Sequence, residues 1–126
     1  GVAMRPSSPS GMGTLGKKLV FLLPGNPVSC LCAYDFFAGP AIRTLAGKSS
    51  QWPYPSVSLP LSRKLVSTVG RTDYARVSIQ NDLVVPIAIS GASVLSSTTR
   101  ADGFVIIPED LEGYARDSEV TVYLYE

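Results

Sequence analysis

The chain has no histidine. A Ser-His-Asp or Cys-His catalytic apparatus is therefore excluded from it. Its two cysteines, Cys30 and Cys32, are too few on their own for a zinc site. They stand two apart in a predicted helix, where side chains do not face each other, so a disulfide between them is disfavoured. Charge is scarce in either sign: the formal balance is +1, and no Lys/Arg cluster marks a nucleic-acid groove. No apolar run approaches the length of a membrane span, and no signal peptide is visible. The opening "GVAMRPSSPSG" lacks an initiator Met and starts apolar, so Gly1 is expected to be a boundary inside a longer chain.

What is present begins with "VFLLPGNPVSCLCAYDFF" from Val20. Leu19 to Leu23 is a short continuous apolar run, which predicts a strand buried on both faces. Pro24 cannot donate to a sheet ladder and closes that strand. Gly25 permits a sharp turn, Asn26 is a good helix N-cap, and Pro27 suits the first helical position. The stretch reads as strand, tight turn and helix start. Ser29 falls in the first turn of that helix. The first amides of a helix are unpaired and carry partial positive charge, so such a turn can face an anion. It also satisfies the simpler reading of a well-capped βα turn.

The helix carries apolar residues at Val28, Leu31, Tyr34, Ala38, Ile42 and Leu45, the spacing of one buried face. Gly39-Pro40 is expected to kink or break it, and Gly47 to end it. "KSSQWPYPS" reads as a linker. Beyond it the segments "VSLPLS", "ARVSIQ", "VVPIAIS", "GFVIIP" and "VTVYLYE" are rich in β-branched and aromatic residues, with turn chemistry between them. Short strands at this spacing predict a small barrel or sandwich. The fold class expected is α+β: the end of an α/β unit over residues 1–51, then an all-β barrel over residues 52–126.

Four stretches in this order resemble one family. "VAMRPSSP", "LPGNPVS" with "GPAIRTLAG", "GRTDYARV" and "SGASVLSSTTRADGFVIIPED" are similar to motifs of the molybdopterin molybdenumtransferase family, bacterial MoeA and the E domain of gephyrin. The likeness covers nearly the whole chain. It implies a C-terminal fragment of an enzyme that inserts molybdenum from molybdate into adenylylated molybdopterin and releases AMP. It implies Mg2+, bound mainly by an upstream part that carries a Gly-Gly-x-Ser-x-Gly loop. It also implies a cytoplasmic protein that is a homodimer when intact, and a fragment that is inactive alone; charge and hydropathy predict no nucleic-acid or membrane partner.

The resemblance places Pro24, Gly25, Asn26, Pro27 and Ser29 in the family's pocket as molybdopterin- or oxyanion-binding residues. It matches Arg5 and Arg76 to family cations, which together with Ser29 are the candidate catalytic residues; no metal ligand is assigned. Ser7 and Ser8 stand where the family has Gly and Lys, and Ala92 where it has Ser. Ser96, Ser97, Arg100 and Asp102 match family positions, and Asp102 is expected to shape a turn. The alternative function is a non-catalytic interaction module that uses the barrel surface, as in gephyrin.

Overall fold

The computed structural model describes residues 1–87 and 101–125. Ala92, Ser96, Ser97 and Arg100, and the end of the "VVPIAIS" segment, lie outside the described residues. Among the described residues ten strands and a helical segment run in the order β1 (Met4–Arg5), β2 (Gly11–Leu15), β3 (Lys18–Leu22), α1 (Pro27–Ala33), a π-helical turn (Tyr34–Ala38), α2 (Gly39–Leu45), β4 (Ser56–Pro60), β5 (Leu65–Val66), β6 (Thr72–Gln80), β7 (Leu83–Pro86), β8 (Gly103–Ile107), β9 (Gly113–Tyr114) and β10 (Glu119–Leu124). The mixed helix-and-strand class is as expected.

β6 is the hub of the sheet. It pairs with β1 in parallel, and with β8 and β7 antiparallel. β8 continues to β10 and β10 to β4, giving the order β1-β6-β8-β10-β4 with β7 beside β6. Among the described residues these ladders leave the sheet open. A single parallel bridge, Leu61 to Val84, links the chain after β4 to β7. Inside lies an aliphatic core of Leu61, Leu65, Ala75, Val77, Val84, Val105, Ile107, Val120 and Val122. Alternation along β6 sends Ala75 and Val77 into this core, and Tyr74 and Arg76 to the other face.

On that other face the helical segment docks through aromatic rings. Phe104 is fully buried and stacks on Tyr74 with ring centroids 4.3 Å apart. Trp52 packs edge-on against Phe36, Phe104 and Tyr123. The helical segment meets these rings with Cys32, Phe36 and Phe37, and Ala33 is fully buried and Ala38 nearly so. The expected apolar stripe is therefore rotated. Val28 and Ala38 are buried as predicted, but Tyr34, Ile42 and Leu45 are exposed.

The interruption at Gly39-Pro40 takes the form of the π-helical turn, after which the helix continues. Pro40 has no N–H to donate one turn back and its ring crowds that carbonyl, so the backbone widens for one turn. Gly47 ends α2 with φ +73°, and the bonds Lys48 N to Arg43 O and Gly47 N to Thr44 O complete a Schellman cap.

Two further expectations are corrected. The apolar run Leu19–Leu23 does form a strand, β3, but most of its side chains are exposed. β3 pairs with β2 in a two-stranded ladder, and among the described residues no second layer covers that hairpin. The linker is irregular, as predicted, but its second half is anchored: Trp52 Nε1 donates to the carbonyl of Asp35 at 2.6 Å, and Tyr54 O–H to the Asp35 carboxylate at 2.6 Å.

Candidate functional site

A cleft of about 360 Å³ opens where the N-terminal segment, the Pro24–Ser29 turn and β6 meet. Arg5, Pro24, Asn26, Ser29 and Arg76 all line it. These are five of the residues singled out in the sequence, drawn from three segments far apart along the chain. Gly25 and Pro27 lie within the same turn without lining the cleft, and both are exposed. Apolar walls come from Val28, Ala75 and Ile107. An apolar wall lowers the local dielectric and strengthens any charge contact made against it.

The turn has the expected backbone but not the expected cap. Asn26 is extended (φ −70°, ψ 130°) and Pro27 opens the helix, while the Asn26 side chain makes no capping hydrogen bond. With the helix start set by proline geometry, the Asn26 side chain is left at the cleft wall. Ser29 is buried, and its carbonyl accepts a 2.6 Å hydrogen bond from the Ser7 hydroxyl. Ser7 sits at φ +86°, a conformation that favours glycine. Its buried hydroxyl and that bond hold the backbone there, tying the N-terminal segment to the turn.

Arg5 enters the cleft from β1. In the parallel pair its register partner is Asp73 of β6. The two side chains form an ion pair, Nη2 to Oδ2 at 2.7 Å, in which the Asp73 side chain is only 4% exposed and that of Arg5 is 37% exposed. Arg71 Nε lies 3.5 Å from the other oxygen of Asp73. Arg76 is buried in the cleft wall, and desolvation pulls its guanidinium below the ordinary arginine range, opposed by the nearby Tyr125 and Tyr74.

Asp73 is a site residue that sequence reasoning missed. It stood in the quoted "GRTDYARV" stretch, but its partner is 68 positions away, and strand register alone reveals the pair. The donor set does not suit Mg2+, which takes carboxylate oxygens together with waters. Among the described residues lining the cleft, Asp73 is the one carboxylate, and two arginines already engage it. Asp102 is expected to shape its own turn; the bond its carboxylate accepts comes instead from a distant strand, from Ile79 N of β6 at 2.7 Å.

Behind the cleft lies a second feature absent from the sequence reading. Asp35, buried within the π-helical turn, accepts from Tyr54 O–H at 2.6 Å and Tyr74 O–H at 3.1 Å. Tyr74 and Tyr125 share a further hydrogen bond of 2.6 Å. Burial raises the Asp35 carboxyl above its ordinary value, against the pull of the two tyrosine donors. Burial likewise pushes the Cys32 thiol up to about 12, so it is inert as a nucleophile. The signal for this network was an acid inside an otherwise apolar "AYDFF" run.

The comparisons with known proteins bear on the family and the fold. The family model for the MoeA C-terminal region (domain IV) matches residues 58–125. A protein of Methanocaldococcus jannaschii named for molybdopterin biosynthesis is 38% identical over 98% of this chain. Molybdopterin molybdenumtransferase 2 of Mycobacterium tuberculosis is 31% identical over 97% of it. The chain spans 29% and 30% of those two relatives. The crystal structure of a molybdopterin biosynthesis MoeA protein from Pyrococcus horikoshii superposes with a TM-score of 0.85 at 30% identity, covering 99% of this chain and 31% of that one. Motifs, fold and matched region converge on one conclusion: the chain belongs to the MoeA family.

Proposed function

We propose that this chain is the C-terminal part of a molybdopterin molybdenumtransferase of molybdenum cofactor biosynthesis. In this reading its cleft receives a tetrahedral oxyanion, molybdate or a phosphate of adenylylated molybdopterin. The observation that carries the proposal is the convergence of Arg5, the Pro24–Ser29 turn and Arg76 on one apolar-walled cleft.

Each group then has a definite task. Arg5 offers N–H donors to the oxyanion beyond the one given to Asp73. Arg76 supplies positive charge from a low-dielectric wall, where a charge contact is stronger than in water. The Ser29 hydroxyl and the amides of the turn orient the anion by hydrogen bonds. Asn26 presents an amide that can donate to an oxyanion or accept from a ligand hydroxyl. Insertion of molybdenum with release of AMP belongs to the intact enzyme, a cytoplasmic homodimer in this reading. The acidic Mg2+-binding groups are assigned to its upstream part.

In the same reading the aliphatic core of the sheet is the interior of a barrel-type subdomain over residues 52–126. The Leu61–Val84 bridge and the aliphatic core support this assignment. Residues 1–51 then supply the other wall of the cleft.

The test is a titration of the chain with molybdate followed by amide NMR. The signals of Asn26, Val28, Ser29 and Arg76 are expected to move first and together, with weak, about millimolar affinity in a cleft open to water. Shifts confined to surface lysines would refute the assignment.

A further inference from the structure

We propose that Asp73 is a positioning residue of the cleft. It holds the Arg5 guanidinium against the wall so that the remaining N–H donors face an incoming oxyanion. The inference rests on the oxyanion reading above and adds to it a residue with no direct contact to the ligand.

The geometry is specific. β1 is two residues long, and its register sets Arg5 directly beside Asp73. The carboxylate is almost wholly buried, whereas the arginine reaches the cleft surface. A half-exposed arginine has many rotamers, and fixing it costs entropy that a binding site must otherwise supply. Here one guanidinium nitrogen is already held at 2.7 Å, and the plane of the group is oriented before any ligand arrives. The other carboxylate oxygen, Oδ1, has no hydrogen-bond partner, and Arg71 Nε lies 3.5 Å from it. The carboxylate is thus flanked by two cations. They offset the repulsion it would otherwise exert on an anion.

Removing Asp73 has two opposed effects. Loss of aim weakens anion binding, and loss of a negative charge strengthens it. A positioning role requires the first to dominate while Arg5 is present and to vanish without it. The measurement is molybdate affinity of the chain by titration calorimetry in a double-mutant cycle. Asp73→Asn is expected to weaken binding about fivefold, and Asp73→Glu to recover most of that loss. In an Arg5→Met background, Asp73→Asn is expected to produce no weakening.

Tighter binding by Asp73→Asn alone, or an equal loss in both backgrounds, would overturn the proposal. Wild-type binding with an uncoupled cycle overturns this inference and leaves the cleft reading intact. Absence of wild-type binding overturns both. A second measurement needs no variant. Restricted rotation should give the Arg5 guanidinium resolved nitrogen signals in the free protein, and these should move with molybdate. A single averaged signal that ignores molybdate would overturn the proposal as well.

Discussion

β3 and β8 are five-residue strands of nearly the same character, Lys-Leu-Val-Phe-Leu and Gly-Phe-Val-Ile-Ile. One is largely exposed and the other almost entirely buried. The difference lies in their neighbours. β8 is paired on both edges, by β6 and β10, with an aliphatic core on one face and aromatic rings on the other. β3 has β2 on one edge. An apolar run states that a strand gains by being covered; the rest of the fold decides whether it is. The same residue type should therefore carry very different weight in the two strands.

The sharpest form of the comparison is phenylalanine to alanine in each. Phe104 is fully buried among five other rings, so Phe104→Ala is expected to cost about 3–5 kcal/mol in denaturant unfolding. Phe21 on β3 is only partly covered, and Phe21→Ala should cost about 1 kcal/mol or less. Equal costs would break the comparison. Glycines give a second matched pair. A Cβ on Gly103 would stand 2.2 Å from the carbonyl oxygen of Tyr123, so Gly103→Ala must push β8 and β10 apart, at about 1–3 kcal/mol or more. At Gly13 on β2 a Cβ meets nothing within 4 Å. Gly13→Ala is expected to be neutral or stabilising by about 0.4–1 kcal/mol, through the unfolded chain.

Much of this architecture was legible in the residues. Among the described residues four of the five β-branched runs form strands and the fifth does so as far as Pro86, and the proline-opened helix and its Gly47 cap are present. Such features depend on neighbours within a few positions. What escaped depends on distant partners. The helix face was rotated because Cys32, Phe36 and Phe37 pack on Trp52, Tyr74 and Phe104, which lie far along the chain. The linker was anchored because Asp35 accepts from both Tyr54 and Tyr74. In the cleft, Arg5, Asn26, Ser29 and Arg76 were named from a family resemblance, whereas Asp73 required the β1–β6 register.

The Asp35 network makes a smaller, pH-dependent test of the junction between helix and sheet. Its folded carboxyl value is raised above the ordinary 3.8. The folded state therefore binds the proton more tightly than the unfolded one. That contribution to stability is complete below about pH 3.8 and is lost as pH rises through the folded value. Asp35→Asn stays neutral throughout. Wild type is expected to lose stability relative to Asp35→Asn as pH rises from 4 to 8, measured as the difference in denaturation midpoint. A flat difference, or one of opposite slope, would show that the Tyr54 and Tyr74 hydrogen bonds outweigh burial.

The smallest effect returns to the exposed hairpin. Leu15 and Leu22 are 74% and 64% exposed. Leu15→Lys and Leu22→Lys should each change stability by about 0.5 kcal/mol or less, while lowering self-association as measured by light scattering. A large loss of stability from either would mean that the hairpin is covered after all.

The central claim is that the N-terminal segment, the Pro24–Ser29 turn and β6 together build an oxyanion site. Crystals of the chain grown with tungstate, and measured at the tungsten absorption edge, test it most directly. The account predicts an anomalous peak in the cleft, within hydrogen-bonding reach of Arg5 and the turn and beside Arg76. A cleft without such a peak, while tungstate occupies other sites on the same molecule, would contradict it.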